Sequence, residues 1–169
     1  MQVYLVRHGE AAPAGGGRDG DRPLTERGEA DVAGAAGGLR ALGVVLDRLL
    51  ASPLRRALET ARILARELEG PQPDTAAVLD GSAPAEAILD ELTAWGPSDR
   101  VGLVGHMPRL GELVTLATAG VASGGAALGT ASVARIDFEG RPRPGGGRLR
   151  WLLTAEQLAR VAAAPAPDR

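Results

Sequence analysis

Apolar and polar positions along the chain change period several times, and each change predicts an element. Val3 to Val6 is a short apolar run with β-branched and aromatic members, the pattern of a strand buried on both faces. Gly9 to Pro23, with Gly15-Gly16-Gly17 and Asp19-Gly20-Asp21, reads as a loop. Thr25 is placed to cap a helix in which Ala30, Ala33, Ala36 and Leu39 recur at helical spacing towards Gly43. Gly34, Gly37 and Gly38 lie inside it, each costing about 1 kcal/mol relative to Ala. Val44 to Ala51 predicts a second strand, interrupted by Asp47-Arg48. Ser52-Pro53 supplies a hydroxyl cap and a proline for a first helical position. Leu54 to Leu68 follows as the strongest helix of the chain, closed by Gly70-Pro71.

Further along, Thr75 to Leu79 predicts a strand, Pro84 to Trp95 a helix, and Val101 to Gly105 another strand. The last of these leads through His106-Met107-Pro108 into a helix from Arg109 to about Ala119. Gly120 to Gly129 reads as loop. Ala131 to Phe138 and Arg148 to Leu153 form a closing pair of strands around Gly140 to Gly147, and Thr154 caps a final short helix. Strands alternating with helices predict an α/β fold, with a mostly parallel central sheet covered on both faces. One domain over residues 1–162 with a flexible tail over 163–169 accounts for the length of 169.

Composition narrows the chemistry. Hydrophobic residues make up 44% of the chain, enough for a buried core. The absence of Cys excludes a disulfide scaffold, a thiolate nucleophile and a Cys-ligated zinc site. The 19 basic residues, all Arg, are balanced by 21 acidic ones for a net charge of −2, so no basic excess points to nucleic acid. No stretch has the apolar length of a signal peptide or a membrane span, and a soluble cytoplasmic protein with no membrane partner is expected.

The chain has two histidines, and each follows a short apolar strand: Arg7-His8-Gly9 and Gly105-His106-Met107-Pro108. In an open parallel sheet, ligands bind beyond the carboxyl ends of the strands, and Ser52-Pro53-Leu54-Arg55-Arg56 occupies the same kind of place. A lone histidine after a strand is most often a polar loop residue. The joint delivery of His8 with Arg7, of Arg55 or Arg56 with a helix start, and of His106 to one edge suits a phosphoryl dianion. Guanidinium groups and helix N-termini bind phosphate oxygens. A neutral imidazole can attack phosphorus, and a second, protonated imidazole would stabilise the equatorial oxygens. Two histidines without HxxH or HxxE spacing fall short of a metal site, and no metal or other cofactor is expected.

Three segments together resemble the histidine phosphatase, or phosphoglycerate mutase-like, superfamily. Arg7-His8-Gly9-Glu10 resembles its RHG motif, Ser52-Pro53-Leu54-Arg55-Arg56-Ala57-Leu58-Glu59-Thr60-Ala61 its S-P-x-x-R-A-x-x-T-A segment, and Gly105-His106-x-Pro108 the segment of its second histidine. Arg22-Pro23-Leu24-Thr25-x-x-Gly28, the short length and the lack of room for a lid are similar to the small SixA-type phosphohistidine phosphatases. The resemblance implies a three-layer α/β/α sandwich, no cofactor, His8 as nucleophile and phosphoryl carrier, and a pocket lined by Arg7, Arg56 and His106. It also implies phosphohistidine on a protein as the favoured substrate. The alternatives are a small phosphorylated metabolite, handled by a phosphomonoesterase or mutase, and a catalytically silent phosphate- or phosphoprotein-binding module.

The chain departs from the family at the general acid. Many relatives carry Glu in a P-x-L-x-E stretch, where this chain has Val78-Leu79-Asp80-Gly81-Ser82-Ala83-Pro84. Asp80 is the candidate substitute, although a turn residue before Gly81 is the simpler account. A missing acid suits a phosphoramidate, whose P–N bond needs less help to break than an alkyl phosphate. Glu10, beside His8, and Arg22, in the loop, complete the candidate substrate-binding set.

Overall fold

The computed structural model of the chain describes residues 1–96 and 99–164. Its elements are β1 (Gln2–Arg7), α1 (Glu26–Ala41), β2 (Arg48–Ala51), α2 (Arg55–Glu67), β3 (Asp74–Thr75), α3 (Ala85–Leu92), β4 (Arg100–Gly105), α4 (Arg109–Ala119), β5 (Val133–Phe138), β6 (Gly147–Leu153) and α5 (Ala155–Ala163). Helix α5 takes in the first residue of the expected tail, whose residues 165–169 lie outside the described ones.

The six strands form one sheet in the order β3-β2-β4-β1-β5-β6. The first four are mutually parallel, and β5 and β6 close the sheet antiparallel. Side chains alternate across a strand, so β1 feeds two cores. Val3 and Leu5 pack with Ile88, Leu89 and Leu92 of α3 and Leu110, Leu113 and Leu116 of α4. Tyr4 and Val6 pack with Val32, Ala35 and Leu39 of α1, Ala61 and Leu64 of α2, and Leu158 of α5. The α/β fold with a mostly parallel, doubly covered sheet is thus borne out. Among the described residues, no helix is long and apolar enough to cross a membrane.

Several elements differ in extent from the sequence pattern. Strand β2 is the last half of the expected run, because Val44 N–H closes the end of α1 on the Leu39 carbonyl and Asp47 clamps the Arg100 guanidinium and N–H. The strand expected over Thr75 to Leu79 is the two-residue β3, followed by a 3-10 turn, Ala77–Leu79, that buries Leu79. Strand β5 starts at Val133, since Ala131 has φ +54° and spends its N–H on the carbonyls of Arg7 and His8.

The glycines that weaken α1 have a packing reason. A Cβ on Gly38 would lie 2.2 Å from the Leu158 carbonyl oxygen, so only glycine lets α5 approach this closely. Thr25 caps α1 by accepting the Gly28 N–H, and Thr154 caps α5 in a capping box with Gln157.

Candidate active site

The parallel pairing of β1 with β4 holds Arg7 opposite Gly105, so His8 and His106 leave the sheet side by side. His8 N–H donates to the Gly105 carbonyl at 3.2 Å, and the two imidazole centroids are 4.9 Å apart with planes tilted by 55°. On the other side of β4, β2 ends with Ala51 opposite Val104, and Ser52 N–H donates to the Val104 carbonyl. Helix α2 rises from there, with Arg56 in its first turn.

Ser52 does not cap α2, contrary to the sequence expectation. Its backbone is still bonded to the sheet, and the chain needs Pro53 and an extended Leu54 before helical geometry begins at Arg55. The Ser52 hydroxyl, fully buried, accepts from Leu54 N–H at 3.2 Å and lies 2.8 Å from His106 Nε2.

The segment after β1 is fixed by close contact. A Cβ on Gly9 would meet Val32 Cγ2 at 2.8 Å, and one on Gly28 would lie 2.2 Å from the Glu10 carbonyl oxygen. These two glycines let the first turn of α1 seat against the histidine loop. Gly9 N–H donates to Thr60 Oγ1, which itself donates to the Arg56 carbonyl at 2.7 Å. Thr60, wholly buried, therefore ties the His8 segment to the helix that carries Arg56.

The arginines divide by burial. Arg55 is exposed and paired with Glu59, whereas Arg56 is 8% exposed and is among the charges acting on both imidazoles. Arg56 donates to the Asp19 carbonyl at 2.9 Å and to Asp19 Oδ2 at 3.0 Å, so a carboxylate from the 3-10 turn Asp19–Asp21 lies on the guanidinium. The Arg22 side chain, and after it Arg56, hold that carboxyl below its ordinary value. Arg7 donates to the Leu128 carbonyl at 2.8 Å, and its Nε is buried with no partner among the described residues.

Burial, and secondarily the Arg56, Arg7 and Arg22 charges, push His8 down to about 4. Burial first, then His8 and Arg56, push His106 down to about 4 as well. Both rings are neutral at physiological pH. His8 Nδ1 lies 2.7 Å from the Gly9 carbonyl oxygen. A carbonyl only accepts, so Nδ1 carries the proton and Nε2 keeps the lone pair, the form a nucleophile requires.

The remaining candidates are engaged in contacts within their own loops. Arg22 donates to the Ala12 carbonyl at 2.6 Å and to Asp19 Oδ1 at 2.9 Å, tying the loop together within electrostatic reach of His8. Glu10 Oε1 accepts from the Thr25 hydroxyl at 3.2 Å, at the start of α1. Asp80 stands near enough to His106 to act on its charge, but its Oδ1 accepts from both the hydroxyl and the N–H of Ser82. Those bonds hold its carboxyl below the ordinary value and so disfavour its protonated form. Among the described residues, no group of three or more potential ligands converges to hold a metal ion.

Sequence reasoning passed over Asp19 as a site residue, quoted Thr60 in a motif without giving it a role, and missed the site contact of Ser52. Thr60, one helical turn beyond Arg56, was open to detection as a facing residue. Nothing local marks Asp19.

Residues 3–81 match the family model of the histidine phosphatase superfamily (branch 1). The phosphohistidine phosphatase SixA of Escherichia coli is 34% identical over 120 residues, which are 68% of this chain and 72% of that protein. An uncharacterised protein of Picosynechococcus sp. is 44% identical over 118 residues, 66% of this chain and 70% of that one. The solved structure of the protein histidine phosphatase SixA complexed with tungstate superposes with a TM-score of 0.84 at 26% identity, over 94% of this chain and 99% of that one.

Proposed function

The chain belongs to the histidine phosphatase superfamily and is a phosphatase; from that premise we propose that it hydrolyses phosphohistidine carried by another protein, through a phosphoryl group held transiently on His8. Neutral His8 attacks phosphorus through Nε2 as the substrate's P–N bond breaks. The bonding pair leaves on the substrate imidazole. When the other ring nitrogen of that imidazole already carries a proton, it departs as a neutral ring and needs no acid from the enzyme. Water then attacks phosphorus, the bond to His8 breaks, and phosphate leaves while the water proton passes to solvent or product. Arg7, Arg56 and His106 supply donors to the phosphoryl oxygens.

The observation that carries the substrate assignment is the state of Asp80. Asp80, which acts on the charge of His106, spends Oδ1 on the hydroxyl and N–H of Ser82, and those bonds lower its proton affinity, so it is poorly set to hand a proton to an alkoxide leaving from an alkyl phosphate. A phosphoramidate does not need one.

The test is phosphate release from a phosphohistidine protein, from phosphoserine and from 3-phosphoglycerate under the same conditions. The expected result is turnover of the phosphoramidate with kcat/KM at least about a hundredfold above the two alkyl esters, the size of a general-acid contribution. Equal turnover of all three overturns the substrate assignment, and saturable phosphate binding without any turnover overturns the catalytic reading.

A further inference from the structure

We propose that Ser52 is a positioning residue: its hydroxyl donates to His106 Nε2 and thereby fixes the ring in the Nδ1–H form, making Nδ1 a donor for a phosphoryl oxygen. The catalytic consequence rests on the phosphatase reading above, whereas the tautomer itself does not.

Hydrogen counting carries the assignment. A serine hydroxyl offers one hydrogen and two lone pairs. Leu54 N–H takes one of the lone pairs of Ser52. Nε2 of His106, at 2.8 Å, is the acceptor within reach of the hydroxyl hydrogen among the described residues. The reverse arrangement, Nε2–H donating to Oγ, would leave that hydrogen unpaired in a fully buried residue. With the Ser52 hydrogen on Nε2, the proton of a neutral imidazole must sit on Nδ1.

Among the described residues, His106 Nδ1 is buried with no partner, and so is Arg7 Nε. The latter is a donor in every state, because guanidinium groups do not accept. The two atoms belong to residues at the ends of β1 and β4, the adjacent strands whose pairing sets Arg7 opposite Gly105. Each such interior donor costs free energy while it lacks an acceptor, and an oxygen brought to either one relieves that cost. The lowered proton affinity of His106 fits this role, since a neutral Nδ1–H donates without first capturing a proton. A neutral ring of fixed tautomer thus replaces the protonated imidazole expected from the sequence.

Ser52 also touches Leu54, two residues before Arg56, so its loss could act through α2 instead; the experiment separates the two routes. Nitrogen-15 NMR of the His106 ring at pH 7 reads which nitrogen is protonated in the intact protein and in Ser52→Ala. The expected wild-type spectrum has a protonated Nδ1 and a lone pair on Nε2, with a shift towards Nε2–H in Ser52→Ala and a return towards Nδ1–H in Ser52→Thr. In phosphohistidine turnover, Ser52→Ala should lower kcat/KM about ten- to a hundredfold. In a His106→Ala background the same change should cost less than about twofold, because coupled residues are non-additive. A wild-type ring protonated at Nε2, or an undiminished cost of Ser52→Ala without His106, overturns the proposal. If no phosphoryl substrate is turned over, the functional reading fails while the NMR result still decides the tautomer.

Discussion

Acidification should weaken this fold through the two histidines before any other feature of the site responds. Each ring is pushed from an ordinary value of 6.5 to about 4. Between those values the unfolded chain binds protons that the folded chain refuses. Stability is therefore complete above about pH 6.5 and is lost as pH falls towards the folded value near 4. Moving a histidine from 6.5 to about 4 corresponds to about 3.4 kcal/mol for a wholly enclosed ring. His8 is only partly buried, and its charge is one of the causes acting on His106, so the two contributions are neither full nor independent. About 3 kcal/mol for the pair is the working figure, a large part of the 5–15 kcal/mol typical of a domain. Urea unfolding of the wild type and of a His8→Gln/His106→Gln double variant, at about pH 7 and about pH 4.5, isolates this quantity because the carboxylates are common to both. The wild type should lose about 3 kcal/mol more than the variant on acidification. Equal losses would refute the claim that both rings are held neutral by their surroundings.

Other consequences are more local. His8→Asn should abolish turnover and the acid-labile phosphoryl label, and a label retained on another residue would displace His8 from its role. Arg56→Ala should cut kcat/KM by about a hundredfold or more, read in steady-state kinetics, as loss of a preorganised charge does. Asp19→Asn removes the carboxylate that lies on Arg56 while keeping the backbone acceptor. Inhibition by inorganic phosphate or tungstate should then tighten several-fold, and unchanged inhibition would show that Asp19 does not compete for that guanidinium. Gly38→Ala, which stabilises an ordinary helix by about 1 kcal/mol, should here lower the unfolding midpoint, because the added carbon meets the Leu158 carbonyl at 2.2 Å.

How much of this was legible in the sequence depended on the range of the interactions. Strands β1 and β4 were readable because both are apolar runs buried on both faces, and α2 because its apolar stripe is strong. The convergence of His8, Arg56 and His106 followed from their shared place after strands. Strand β3 was misjudged because Ala77, Val78 and Leu79 are apolar for a different reason, burying Leu79 under a 3-10 turn. Burial alone does not distinguish those conformations. The glycines of α1 looked like a weakness because their compensation lies in α5, more than a hundred residues away. Ser52 was read as a helix cap because its local sequence fits one; its partner, His106, is 54 positions distant. Asp19 sits in a glycine-rich loop whose path no periodicity records.

The neighbours of β1 bear on how the molecule assembles in time. Gln2 pairs with Arg100 on one side and Asp137 on the other, so this strand has no partner close to it in sequence. Contacts of such long reach make folding slow, since loop-closure entropy is lost before the ladder compensates it. A nascent or truncated chain of 81 residues, the stretch that carries the matched family signature, holds Arg7 and His8 but has nothing to dock β1 against. Competence for phosphate chemistry should therefore switch on late and in a single step, with no half-active fragment along the way.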